Sequence, residues 1–400
     1  ELEPLLLQRI DIVDGEEDRF TLLQRLVALY QENLERPRDA ISTCQRILDS
    51  DPDHRPTLVT LEALYEERAA WDSLAEVKRQ LADSAPDDRE RIAHLTSLAK
   101  LTEDPLGQHR GAVDLWEEVL GVAPGNLDGL HNLQRILESI ESWDDLLLAY
   151  ERENHLPELA PDRRLELAQR MGRVATDRLD DIYAAQTHWE AARALDSSDK
   201  ETLTALRAIY RESSQTEALA QVLKDQIDSG NYLEAEQMDT WRELAQVCTE
   251  TLGQHEEAIE SWRQVLSMSP GDPMAFDQLR GLYESQGRWN EAVELHQERL
   301  ADLEGSEQLD AWMHIGGIQE NQLDDVEGAI TTYRIVLEEF PEELEASQRL
   351  ETLYARQEDW ESLCIVLLDR ADMLSDPIDR VLTLQGLAEV YESRLEQPEN

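Results

Sequence analysis

The sequence predicts an all-α protein, a tandem array of stacked antiparallel helical hairpins with about 22 helices in all. Three observations predict it: a composition of helix formers, a residue signature that returns about every 72 residues, and an apolar stripe of helical period ahead of each return. Of 400 residues 41% are hydrophobic and 31% charged, with only 3 Phe, and Leu, Ala, Glu, Gln and Arg supply most of the remainder. So few aromatic and β-branched residues, with no Asn-Gly turn between alternating runs, exclude a β-sandwich, a β-barrel or a doubly wound sheet. No apolar run approaches the ~20 residues that a membrane-spanning helix needs.

The signature is a bulky residue with Ala four positions before it and, usually, Pro eight positions after it. Its five copies are Ala40, Cys44, Pro52; Ala112, Trp116, Pro124; Ala185, Trp189, Ser197; Ala258, Trp262, Pro270; and Ala329, Tyr333, Pro341. The bulky positions lie 72, 73, 73 and 71 residues apart. Twenty-one residues after each comes Tyr65, Leu137, Tyr210, Tyr283 or Tyr354, and twenty-seven after each comes Trp71, Trp143, Thr216, Trp289 or Trp360.

Ahead of each copy, apolar or small residues fall at i, i+3, i+4 and i+7, one face of a helix. They begin with Leu23, Leu26, Val27 and Tyr30, continue through Trp241, Leu244, Ala245 and Cys248, and return a sixth time as Leu384, Leu387, Ala388 and Tyr391. Each unit therefore reads as four helices joined by short turns, with Pro just past a helix end, as in Asp51-Pro52, admitting the next. A single pair of such helices leaves half its stripe wet, so it must stack on its neighbours. The expected units are 20–88, 89–161, 162–234, 235–305 and 306–377, with partial units at 1–19 and 378–400, all in one continuous solenoid over 1–400.

These positions resemble the tetratricopeptide repeat, a helical hairpin with W, L, G, Y, A, F, A and P at motif positions 4, 7, 8, 11, 20, 24, 27 and 32. In the fourth unit Trp241, Leu244, Ala245, Cys248, Ala258, Trp262, Val265 and Pro270 fall on that frame, provided one residue is inserted between the helices. Every second hairpin diverges. It carries a large polar residue at position 8 (Glu62, Gln134, Arg207, Arg280, Glu351), and Leu74, Leu146, Leu219 and Leu363 replace Ala at position 20, where only Ala292 conforms. The resemblance implies a right-handed superhelix of about eleven hairpins, alternately regular and divergent.

Glu1 to Val13 matches the last helix of a unit, and Leu395-Glu396-Gln397-Pro398 repeats Leu34-Glu35-Arg36-Pro37. The expectation is an internal stretch of a longer repeat protein, or an array whose open ends are covered by further copies in a polymer. A cytoplasmic compartment is favoured, with the periplasm and the exterior left open.

Charge narrows the partners. Against 87 Asp plus Glu stand 37 Lys plus Arg, only four of them lysines (Lys78, Lys100, Lys200, Lys224), for a net charge of −50. A nucleic acid would meet repulsion instead of a basic patch. Cys44, Cys248 and Cys364 are too far apart for a C-x-x-C pair. Asp49-Ser50-Asp51-Pro52-Asp53 opens like a calcium loop, but His54 replaces the turn glycine and Thr60 the bidentate Glu. His255-Glu256-Glu257 lacks the second His of a zinc helix. No phosphate-binding loop, dinucleotide fingerprint or nucleophile elbow is present, so no catalytic residue, cofactor or metal is expected.

Trp116, Trp189 and Trp262 hold the position that packs a hairpin's second helix and are expected in the core. Trp71, Trp143, Trp289 and Trp360 begin the second helix of each divergent hairpin; they are expected to be partly exposed and to make lateral contacts. The resemblance implies a concave partner-binding face on the first helix of each hairpin. In the regular hairpins its candidate residues are Gln24, Gln31, Lys100, Glu103, Gln169, Arg173, Arg242, Gln246, Met313 and Glu320. Motif positions 12 and 13 add the acids Glu32, Asp104, Asp177, Glu250 and Glu392. The Lys and Asn cluster by which one subgroup of the family grips a C-terminal carboxylate is missing. The expected function is a non-enzymatic scaffold with an acidic surface that binds a protein or peptide, basic in character. The alternative is a structural repeat protein that associates end to end into a filament or surface appendage.

Overall fold

The computed structural model describes residues 2–13, 15–397 and 399. Glu1, expected in the opening helix, and Pro398, expected in the closing segment, lie outside the described residues. Among the described residues there are 22 α-helices and no strand, and each helix packs on its neighbour in sequence within two compact units, Glu1–Ser197 and Ser198–Asn400. The fold is an all-α helical solenoid.

The first unit opens with α1 (Leu2–Ile12). Its regular hairpins are α2 (Glu16–Glu32) with α3 (Pro37–Leu48), α6 (Asp88–Glu103) with α7 (His109–Val122), and α10 (Pro161–Asp177) with α11 (Ile182–Leu195). Its divergent hairpins are α4 (Arg55–Glu67) with α5 (Trp71–Asp83), and α8 (Leu127–Ser139) with α9 (Trp143–Asn154). In the second unit the divergent hairpins are α12 (Lys200–Glu212) with α13 (Thr216–Ser229), α16 (Pro273–Ser285) with α17 (Trp289–Leu300), and α20 (Leu344–Gln357) with α21 (Trp360–Met373). The regular ones are α14 (Glu234–Val247) with α15 (His255–Met268), and α18 (Ser306–Asn321) with α19 (Val326–Glu339), followed by α22 (Pro377–Ser393).

Regular hairpins are locked by complementary size. A Cβ added to Gly172 would lie 2.5 Å from the Trp189 ring, and one added to Gly316 would lie 2.6 Å from the Tyr333 ring. At the same register the chain sets Ala99 with Trp116, Ala245 with Trp262, and Val27 with Cys44, all buried. The smallest second-helix residue is thus matched with the largest first-helix one. Trp116, Trp189 and Trp262 are at most 2% exposed, which makes them core residues as expected. Cys44 and Cys248 are fully buried, and burial pushes the Cys44 thiol up to about 12 and the Cys248 thiol up to about 11.

The inserted residue of the regular hairpins has a definite structural home. At the end of the first helix of each divergent hairpin the chain closes a turn with an N–H to C=O bond five residues back, as in Ala70 to Tyr65, Ser142 to Leu137 and Arg288 to Tyr283. After the first helix of each regular hairpin the closing bond reaches six residues back: Arg36 to Tyr30, Gln108 to Thr102, Asp181 to Ala175, Gln254 to Cys248, Asp325 to Gln319 and Gln397 to Tyr391. Each of these longer turns contains one left-handed residue, namely Glu35, Gly107, Asp180, Gly253, Asp324 or Glu396. In the fourth unit the extra residue also widens the helix end into a π-helical turn, Cys248–Leu252.

In four of the five divergent hairpins the large polar residue at position 8 reaches a side chain on a neighbouring helix. Glu62 accepts from Lys78 at 2.5 Å, Gln134 donates to Glu153 at 2.7 Å, Arg207 donates to Glu243 at 2.6 Å, and Arg370 donates to Glu351 at 2.7 Å. Glu153 is 1% exposed and is also held by Arg163 at 2.7 Å. Burial pushes the Glu153 carboxyl up, but hydrogen bonds from Arg163 and Gln134, with the Arg163 charge, outweigh burial and hold it below the usual carboxylate range.

Two outcomes are expected. Gly316→Ala should lose about 1–3 kcal/mol through overpacking against Tyr333, whereas its neighbour Gly317→Ala, which meets nothing within 4 Å, should gain up to about 1 kcal/mol of helix propensity. Hydrogen exchange of α18 and α19 amides reads both, and equal effects would refute the size lock. A carboxyl whose folded value is depressed stabilises the fold above its unfolded value and stops doing so as pH falls through the folded one. The stability difference between the wild type and Glu153→Gln should therefore be greatest at neutral pH and shrink between about pH 5 and pH 3. Urea unfolding across that range measures it, and a gap independent of pH would contradict the clasp.

Candidate partner-binding surface

The regular first helices α2, α6, α10, α14, α18 and α22 carry the residues that the resemblance marks as partner-facing. Gln24, Gln31, Lys100 and Arg173 are exposed, whereas Glu103, Gln169, Arg242, Gln246, Met313 and Glu320 are half-buried. Several of these are already engaged. Glu103 pairs with Arg135 at 2.6 Å, and the hydroxyl of the core residue Tyr333 donates to Glu320 at 3.1 Å. Arg242 donates to Asp272 at 2.5 Å, and Asp272 in turn accepts the Ala275 N–H as the N-cap of α16. Burial works against ionisation of Asp272, but the Ala275 and Arg242 hydrogen bonds prevail and keep its carboxyl below the ordinary range. Met313 packs against the core of the second unit.

The acids at positions 12 and 13 are freer. Glu32, Asp104, Asp177, Glu250 and Glu392 are all exposed, one per regular first helix in five of the six.

The four tryptophans Trp71, Trp143, Trp289 and Trp360 are half-buried. In the first unit two of them meet the partner-facing helix of the following hairpin. Trp71, Lys78, Ser97, Lys100, Glu103 and Asp104 line a groove of about 690 Å³. One repeat further on, Trp143, Tyr150, Arg170, Arg173, Asp177 and Arg178 line a groove of about 460 Å³. The two grooves are the same place in successive repeats, because Lys78 and Tyr150, Ser97 and Arg170, Lys100 and Arg173, and Asp104 and Asp177 share sequence columns. The Arg178 guanidinium lies 5.0 Å from the Trp143 ring centroid, and that of Arg394 lies 4.9 Å from Trp360. Trp360 also packs against the core cluster that Met313 touches. Gln24, Gln31, Gln169 and Gln246 fall outside both grooves, and Trp289 sits in the first turn of α17 beside Gly287.

Sequence reasoning missed Arg170 and Arg178. They stand at motif positions 6 and 14, outside the columns taken as partner-facing; the 34-residue or 35-residue step from Trp360 to Arg394 and from Trp143 to Arg178 is the signal that marks the stacked pair. Among the described residues no helix is long and apolar enough to cross a membrane.

Two family models, both described as tetratricopeptide repeat, match residues 275–309 and 310–343, which hold nearly all of α16 with α17 and α18 with α19. Among solved structures, a human IFIT1 dimer with m7Gppp-AAAA is 16% identical and covers 100% of this chain and 94% of its own, with a TM-score of 0.27. Yeast Tom70 is 11% identical over 98% of this chain and 91% of its own, with a TM-score of 0.26. A tetratricopeptide repeat protein from Parabacteroides merdae is 13% identical over 74% of this chain and 97% of its own, with a TM-score of 0.27. Likenesses of this size carry no argument about function. Comparison with curated proteins finds no match. Residues 275–343 thus carry two tetratricopeptide repeats, and the same alternation of hairpins recurs before and after them.

Proposed function

We propose that the chain is a non-enzymatic scaffold that binds Lys- or Arg-rich protein partners along the acidic first helices of its regular hairpins. The observation that carries this reading is the return of an exposed acid at motif position 12 or 13: Glu32, Asp104, Asp177, Glu250 and Glu392. Within each unit, acids repeated at neighbouring registers give a basic segment equivalent stations, while the net charge of −50 draws it in from a distance. The grooves at Trp71 and Trp143 add flat half-buried rings beside that row. Arg178 over Trp143 has the geometry that a partner's guanidinium would adopt on such a ring.

A second reading is end-to-end association of copies. Light scattering separates the two, since association gives a mass that climbs with concentration and the scaffold reading gives a constant one.

For the first reading the test is binding of a fluorescent Arg- and Lys-rich peptide to the intact chain and to Asp104→Asn/Asp177→Asn/Glu250→Gln. That variant changes a net charge of −50 by only three, so bulk attraction is nearly unaltered. Affinity at low salt should fall about ten-fold and the difference should fade as salt screens it. A variant that binds as well as the wild type would refute the row of acids as the docking site.

A further inference from the structure

Three helices of the second unit, α16, α17 and α18, bring together Glu284, His296 and His314. One nitrogen from each imidazole and one Glu284 oxygen all lie within 4.8 Å of one another. His314 Nε2 stands 3.1 Å from Glu284 Oε1, and the two imidazole centroids are 4.6 Å apart, tilted by 48°. Phe276 meets His296 edge-on at 5.1 Å. His296 is only 7% exposed, and its Nε2 is buried with no hydrogen-bond partner. Native structures hold few orphaned buried polar atoms of this kind.

At each earlier junction two of the same three columns hold groups that pair with one another. Where His296 and His314 stand, the first junction has Lys78 donating to Ser97 at 2.8 Å. The second has Arg170 hydrogen-bonded to Tyr150. At the third, apolar Leu223 fills the His296 column, while Arg211, in the Glu284 column, donates to Glu243, in the His314 column, at 2.8 Å. Only the fourth gathers two imidazoles and a carboxylate with a ring nitrogen left over.

We propose that Glu284, His296 and His314 bind a divalent transition-metal ion of the zinc class, which ties α16, α17 and α18 together. Two imidazoles and one carboxylate are a ligand set for Zn²⁺, Co²⁺, Ni²⁺ or Cu²⁺, whereas Ca²⁺ and Mg²⁺ take more oxygens. Bonds of about 2.0–2.1 Å put neighbouring ligand atoms of a tetrahedral site roughly 3.4 Å apart. Glu284 and His314, at 3.1 Å, are already near that separation, and a His296 nitrogen lies within 4.8 Å of both. His314 and Glu284 are half-buried, which gives the ion a path in and a water its fourth position. Arg280 reaches Glu284 at 4.0 Å and the Arg299 guanidinium stacks over Phe276 at 4.4 Å. These two cations weaken the affinity that the ligand set alone would give.

The test is titration of the metal-stripped chain with Co²⁺, whose visible absorption distinguishes nitrogen ligands at low coordination number from the oxygen shell of surface carboxylates. One equivalent should develop a visible band that Zn²⁺ abolishes. His296→Leu installs the residue that Leu223 and Leu367 place in the same column, and His314→Ala alters a half-exposed side chain. Each should lower affinity at least about ten-fold, with helical circular dichroism unchanged. If His296→Leu loses helicity, His314→Ala decides. No band in the wild type, or a band of equal strength and affinity in His314→Ala, overturns the proposal.

Discussion

Everything in this array follows from one steric bargain inside the regular hairpin, a small residue on the first helix against a large one on the second. Gly172 admits Trp189 and Gly316 admits Tyr333 at distances that leave no room for a single methyl group. Where the second helix offers only Cys44, the first supplies Val27. Interiors are packed as tightly as organic crystals, so volume gained on one helix must be given up on the other. The pair sets how closely the two helices approach, and that spacing positions the stripe on which the next hairpin leans.

A lock repeated at every regular hairpin leaves the junctions between hairpins free to differ. One column carries Ser97, Arg170, Glu243 and His314 in turn, and its neighbour carries Lys78, Tyr150, Leu223 and His296. Such variety would be intolerable at the lock itself, where a change of one methylene is felt. Three of the junctions accept it through hydrogen bonds between their side chains, and the fourth leaves a His296 nitrogen over. The surface can therefore diversify chemically while the helices stay in register, and both the acidic row and the tryptophan grooves lie on that freer part of the molecule.

Much of this was legible in the sequence. The 71- to 73-residue period gave the hairpins, the stripes gave their inner faces, and the register of Trp116, Trp189 and Trp262 gave the core. The inserted residue was visible as a misfit to the family frame, although only the backbone revealed that it lengthens the closing turn from five to six residues. Side-chain pairing was not legible. Glu103, Arg242 and Glu320 read as surface residues by position, yet each meets a partner some 13 to 32 residues away, on a different helix. Glu284, His296 and His314 are separated by 12 and 18 residues, lie on three different helices and become a cluster only when those helices pack.

The most direct trial of the size lock moves the Val27 and Cys44 pair of the first regular hairpin into the third regular hairpin. Gly172→Val alone should destabilise α10 and α11 severely by clashing with Trp189, and Trp189→Cys alone should leave a cavity. Together they should recover about 1–3 kcal/mol relative to the sum of the two losses, measured as a double-mutant cycle by hydrogen exchange in those helices. Losses that simply add would mean that the two positions do not set each other's size, and the central claim would fail.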